Sequence, residues 1–124
     1  DGASITGTTD GALFDSAPIV DCNGLPPSPG VWFTVVGTTN AVLRAHTCSD
    51  KTQFDTVISI YEGTNCGALQ CIRFNDDSCG TKSSITWEAK VDVTYYIHVG
   101  GSVDNSNYWK GLSGLFGLSL ELAE

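Results

Sequence analysis

Phe116-Gly-Leu-Ser-Leu-Glu-Leu122 is the stretch on which the fold turns. Phe116, Leu118, Leu120 and Leu122 recur at every second position, with Ser119 and Glu121 between them. Successive side chains of a β-strand leave opposite sides of the backbone, so a period of two means one buried face and one wet face. The same alternation runs back through the chain. Thr94 to Val99 sets Tyr95, Ile97 and Val99 against Tyr96 and His98. Ser84 to Ala89 sets Ile85, Trp87 and Ala89 against Thr86 and Glu88. Thr56 to Tyr61 turns Ile58 and Ile60 inward and Ser59 outward, and Leu69 to Phe74 is a shorter run. Ala41 to Thr47 opposes Leu43 and Ala45 to Arg44 and His46. Between Gly30 and Gly37, Val31, Phe33 and Val35 share one face, with Trp32, Thr34 and Val36 on the other. A weaker strand is expected over Ser4 to Thr8. No ten-residue stretch carries a helical period.

About eight short strands, separated by turn signals at roughly 8–12-residue intervals, predict an all-β antiparallel sandwich. Gly37-Thr-Thr-Asn40, Glu62-Gly63, Gly100-Gly101 and Asp104-Asn105 supply the turn chemistry. Two long polar connections stand out, Asp10 to Gly30 and Gly101 to Gly114. Connections of that length commonly carry function. The first contains Pro26-Pro-Ser-Pro29, a stiff extended approach to Gly30.

The chain has 124 residues, 41% of them hydrophobic. That suffices for one core, and residues 1–124 are expected to form a single domain. Six Lys and Arg against 14 Asp and Glu leave a net charge of −8, which argues against a phosphate-backbone binder. Charged residues are sparse at 16%, and 12 Ser and 13 Thr take their place. The three Trp, four Tyr and five Phe exclude a disordered acidic tail. No apolar run approaches the ~20 residues of a membrane-spanning helix. The chain begins at Asp1, which suggests a module of a larger secreted protein whose targeting segment lies outside it.

Five cysteines, Cys22, Cys48, Cys66, Cys71 and Cys79, lie at irregular spacings, and the two histidines are far apart. Zinc sites favour close pairs with histidine support, so disulfides in an oxidising compartment are the better reading. Cys66–Cys71 closes the tightest loop and Cys48–Cys79 is the natural second bridge. Cys22 is then left over, unless the pairing is shuffled.

Seven short motifs follow one another in order. They are Gly30-Val-Trp-Phe-Thr-Val-Val-Gly37, Thr47-Cys-Ser49, Phe54-Asp-Thr-Val-Ile-Ser-Ile-Tyr61, Cys66-Gly-Ala-Leu-Gln-Cys71, Asn75-Asp-Asp-Ser-Cys79, Ser84-Ile-Thr-Trp87 and Tyr95-Tyr-Ile-His-Val99. This series resembles the pre-peptidase C-terminal (PPC) domain family in its cysteine-rich secreted form. The resemblance implies a jelly-roll-like β-sandwich, appended to exported enzymes, usually non-catalytic, and binding polymers, glycans or cell surfaces. Some members bind calcium. Many of those place an acidic cluster where this chain has Pro26-Pro-Ser-Pro-Gly30. Several cysteine-rich relatives place Cys after the Trp of the Ser-x-Thr-Trp strand, where this chain has Glu88.

Three groups of residues bear on chemistry. Asp55, Asn75, Asp76 and Asp77 form the densest oxygen-donor set, suited to calcium, which takes six to eight oxygen ligands. The competing reading is that these side chains accept turn N–H bonds. Tyr108 and Trp109, flanked by Asn105, Asn107 and Lys110, place rings beside hydrogen-bonding groups in a long loop, the mix a sugar surface recognises. The alternative is that Trp109 seals the end of the sandwich. Trp87 shares the inward face with Ile85 and reads as core, whereas Trp32 is ambiguous. Catalysis has little support. No G-x-S-x-G elbow occurs, and His46 and His98 fall within strands.

The sequence thus predicts a non-catalytic extracellular binding or adhesion module without an organic cofactor. Its partner is a glycan or another surface polymer, with calcium as an assisting ion. The alternative is a structural or self-associating accessory domain of a secreted enzyme, packed against a neighbouring domain. Nucleic acid and membrane insertion are not expected.

Overall fold

The structure, a computed structural model, describes residues 2–10, 30–63, 69–75, 79–80, 82–101 and 113–123. Eight strands follow in chain order: β1 (Gly2–Thr8), β2 (Gly30–Val36), β3 (Ala41–His46), β4 (Thr56–Glu62), β5 (Gln70–Asn75), β6 (Ser84–Ala89), β7 (Thr94–Gly101) and β8 (Leu115–Leu122). They form two antiparallel four-stranded sheets, ordered β1-β8-β3-β6 and β2-β7-β4-β5. Only β4 and β5 are neighbours both in sequence and in a sheet; every other connection crosses between the sheets. That order is the jelly roll, so the all-β antiparallel sandwich expected from the alternation is the observed fold. The N-terminal strand, the weakest signal, is a full seven-residue ladder from Gly2↔Glu121 to Thr8↔Leu115.

The inward faces pack as the period of two requires. Ile58, Ile60, Ile97, Val99, Ile85, Trp87 and Phe116 are buried, and Val31, Phe33, Val35, Leu43 and Leu120 pack against them. Each such side chain contributes about 1.5–3 kcal/mol on leaving water. Phe33 meets Phe116 edge-on across the two sheets at 6.2 Å, and Trp87 meets Tyr95 at 5.8 Å. Trp87 is therefore a core residue.

The long-loop end of the sandwich is held by polar groups. Strand β3 leaves β8 after His46↔Ser119, so the first residues of β8 lose their partner on that side. The segment following β3 replaces it. Gln53 N donates to Leu115 O (2.9 Å), and Gly117 N donates to Thr52 Oγ1 (3.0 Å). Buried backbone groups must be paired, and this fold-back pairs them. Gly117 makes room for it: a Cβ there would lie 2.9 Å from Ser49 Oγ and 3.1 Å from Ser49 Cβ.

Thr47, Thr56 and Ser83, each 0% exposed, join the ends of β3, β4 and β6. The Ser83 hydroxyl donates to Thr56 O (2.6 Å), a carbonyl that can only accept. The Thr56 hydroxyl must then donate to Ser83 Oγ (2.9 Å), and the Thr47 hydroxyl to Thr56 Oγ1 (2.7 Å). Ser83 N completes the relay by donating to Thr47 Oγ1 (2.9 Å). Every hydroxyl in the relay has a donor role and an acceptor role, which removes the cost of burying it. Beside this relay the disulfide Cys48–Cys79 spans 31 residues with a Cα–Cα distance of 6.0 Å. It ties the β3–β4 crossing to the β5–β6 crossing.

Candidate functional site

The two sheets carry different outer faces. On β2-β7-β4-β5 the register lines up Trp32, His98, Ser59 and Phe74 as one row across all four strands. The next row is Thr34, Tyr96 and Tyr61. On the other side lie Gly30, Gly100 and Val57. Three of these rings cluster. Trp32 sits 4.6 Å from His98 and 5.4 Å from Tyr61 between ring centroids, tilted to both.

The sequence explains each placement. Val31, Phe33 and Val35 point into the core, so Trp32 must point out. In β7, Tyr95, Ile97 and Val99 do the same to Tyr96 and His98. Gly30 provides the space the imidazole occupies, since a Cβ there would meet Val99 O and lie 2.6 Å from His98 Nε2. Although these side chains face away from the core, Tyr61 and His98 are 0% and 2% exposed, and Ser59 and Tyr96 are also buried. Trp32 is half-buried and Phe74 is exposed. Alternation led one to expect a wet face here; the structure has a second, aromatic layer instead.

On β1-β8-β3-β6 the outer face is polar. Arg44 Nη1 donates to Glu121 Oε2 at 3.1 Å, and His46 Nε2 lies 3.7 Å from Glu121 Oε1. His46 Nδ1 accepts a hydrogen bond from Cys48 N (3.2 Å), which puts the ring proton on Nε2, toward the carboxylate. The ring is thus held by structural contacts. A separate apolar cleft of about 420 Å³ opens between the sheets where β2 turns into β3, lined by Val35, Leu43, Leu120 and Leu122. Thr38, Thr39 and Glu121 also line it, and Glu121 is already paired with Arg44.

Of the residues proposed from sequence, Tyr108, Trp109, Asn105, Asn107 and Lys110 lie outside the described residues, as do Asp76, Asp77 and Cys66. Asp55 is half-buried just before β4, and Asn75 ends β5 opposite Ile58, so the strands bring these two to the same end of one sheet. Among the described residues no group of three or more His, Cys, Asp or Glu is placed to hold a metal. Cys48–Cys79 is present as expected, and Cys71 is disulfide-bonded to a cysteine outside the described residues. The Trp32–His98–Tyr61 cluster was not singled out from sequence. The signal was there in the phase of Trp32 against Val31 and Phe33, but phase says which way a ring points, not which rings meet.

No protein-family model matches the sequence, and no curated protein resembles it detectably. Among solved structures the chain is similar to PliG of Aeromonas hydrophila, a periplasmic inhibitor of g-type lysozyme. The match covers 98% of this chain and 85% of that one, with a TM-score of 0.58 and 13% identity. At that identity the two share a fold and nothing more is implied.

Proposed function

We propose that the chain is a non-catalytic extracellular binding module that attaches its parent protein to glycan or another surface polymer through the outer face of β2-β7-β4-β5. The observation that carries the reading is Trp32. Its ring is half-buried and held at fixed distances from buried His98 and Tyr61. A sugar's C–H face packs on a flat ring, and a ring already immobilised loses little entropy on binding. Thr34, exposed two residues along the same face of β2, places a hydroxyl beside it. The disulfides fit a secreted or cell-surface setting, because such bridges persist in oxidising compartments. The resemblance to PPC domains points the same way. Calcium enters as an assisting ion, with Asp55, Asn75, Asp76 and Asp77 as its oxygen donors.

The test is a glycan array probed with the parent, Trp32→Ala and Trp32→Tyr, each with calcium and with EDTA. The parent binds a defined subset, Trp32→Ala loses it, and Trp32→Tyr keeps part of it. An array without signal, or equal binding by Trp32→Ala, overturns the reading. A Trp109→Ala arm decides between the sheet face and the 102–111 loop. Binding lost there but kept in Trp32→Ala moves the contact to Tyr108 and Trp109. Unchanged binding and melting in EDTA removes calcium. The likeness to a lysozyme inhibitor favours a second reading, a protein partner, so g-type lysozyme belongs in the same panel.

A further inference from the structure

A four-stranded sheet has two edges, and each edge is a row of unpaired N–H and C=O groups that can recruit another strand. Natural edges are blunted by bulges, charges or short length. The four edges of this sandwich differ in that respect. On β5 the pairing shifts register between Ile60 and Tyr61, which makes Ile72 an extra residue, and Arg73 stands beside it. Strand β6 carries Glu88 and is followed by Lys90. Strand β2, like β1, is seven residues long, uncharged and in unbroken register with its neighbour, here β7, but its central apolar side chains Val31, Phe33 and Val35 are already packed on the core, whereas β1 leaves its own central one exposed. Strand β1 has no bulge, no charge and no such packed centre. It is seven residues long, in unbroken register with β8, and free of charge and proline. At its centre Ile5 is 45% exposed. Among the described residues nothing hydrogen-bonds to its outer edge.

We propose that this edge pairs with the β1 strand of a second copy of the chain. The two strands run antiparallel about a twofold axis at Ile5, joining two sheets into one of eight strands. The sequence Gly-Ala-Ser-Ile-Thr-Gly-Thr is what selects a copy of itself as occupant. Antiparallel pairing about its centre sets Ile5 opposite the partner's Ile5, and Ser4 opposite the partner's Thr6. The outer positions combine Ala3 with the partner's Gly7 and Gly2 with the partner's Thr8. The exposed apolar side chains cover each other, hydroxyl meets hydroxyl, and no like charges face across the pair, all favourable cross-strand combinations. Ser4 and Thr6 stand on the outer face, where Ser4 Oγ already bonds Ser119 Oγ at 3.0 Å. Twofold symmetry is the commonest way for two copies to associate, and it requires this kind of self-complementary patch. One strand edge is smaller than a standard interface, so the association is reversible and concentration-dependent. It is independent of the glycan reading.

Sedimentation equilibrium between about 10 μM and 1 mM covers the affinity range of such a contact. The expected result is a monomer–dimer equilibrium. Ile5→Lys sets two ammonium groups opposite each other and raises the dissociation constant at least tenfold or so. Its melting temperature at low concentration stays at the parent's, because Ile5 is already half-exposed. Ile5→Cys cross-links to itself under mild oxidation, whereas Thr8→Cys, six positions out of register with its own copy, does not. That contrast separates β1 pairing from reactions of the native cysteines. A parent still monomeric at about 1 mM overturns the proposal. So does a dimer that Ile5→Lys leaves intact, or one in which both cysteine variants cross-link equally. A monomeric parent that binds a synthetic Gly2–Thr9 peptide also overturns it, since the edge then serves a different extended segment.

Discussion

On the outer face of β1-β8-β3-β6 stand Arg44, His46, Glu121, Thr86, Glu88, Ser4 and Ser119, met by water and by one another. On the outer face of β2-β7-β4-β5 stand Trp32, His98, Ser59, Tyr61 and Tyr96, most of them withdrawn from water. Both faces are built by the same alternation, and both lie opposite the same core. The first behaves as a solvated surface whose side chains can change with little effect. The second behaves as a small additional core, in which removing an atom leaves a hole and adding one makes a clash. A recognition surface needs that rigidity, because side chains already fixed lose less on binding.

The comparison breaks or sharpens under a graded set of substitutions. Tyr61→Ala should cost about 3–5 kcal/mol of stability, the cost of emptying a buried aromatic position, while Thr86→Ala stays within about 0.5 kcal/mol. Urea titrations of the two variants against the parent measure the contrast, and equal effects would erase the distinction between the faces. Replacing Cys48 and Cys79 together by Ser should cost about 3–4 kcal/mol from the loop entropy of the 31-residue separation. Because that bridge ties crossings between the two sheets, both faces should loosen together, which hydrogen exchange on β4 and β6 would register. Gly30→Ala drives a methyl group toward Val99 O and the His98 ring, and should cost about 1–3 kcal/mol as an overpacked site. If thermal melting shows no change, His98 is not held as tightly as its burial indicates. Arg44→Ala should cost no more than about 1 kcal/mol, because both partners of its ion pair are more than a third exposed. Its effect should vanish in high salt. A larger, salt-insensitive loss would mean the polar face is a core as well.

Much of the fold was legible from the alternation, since the core side of a strand fixes its hydrophobic phase. The bounds of β6 match the expected run, and those of β4 and β7 extend it by one and two residues at the C-terminal end. Trp87 could be assigned to the core from Ile85 alone. Strand β1 was faint because Gly2-Ala-Ser-Ile-Thr-Gly-Thr8 holds one large apolar residue, and the strand owes its place to pairing with β8. Cys48–Cys79 could be expected from the small set of possible partners. The hydroxyl relay of Thr47, Thr56 and Ser83 could not, because its members are separated by 9 to 36 positions and resemble ordinary turn residues.

The candidate site divides the same way. Sequence by itself determined that the chain is all-β, that its strands have one apolar side, that His98 stands on the opposite side from the core residues of its strand, and that Cys48 and Cys79 are disulfide partners. Only the tertiary structure decided which strands lie side by side, and hence that Trp32, His98, Ser59 and Phe74 form one row, that Tyr61 reaches Trp32, and that no strand among the described residues pairs with the outer edge of β1. The reason is physical. Phase along a strand is a local property, fixed by the geometry of consecutive residues. Neighbours across a sheet are set by how two whole faces bury each other, and that choice is made by the jelly roll as a unit.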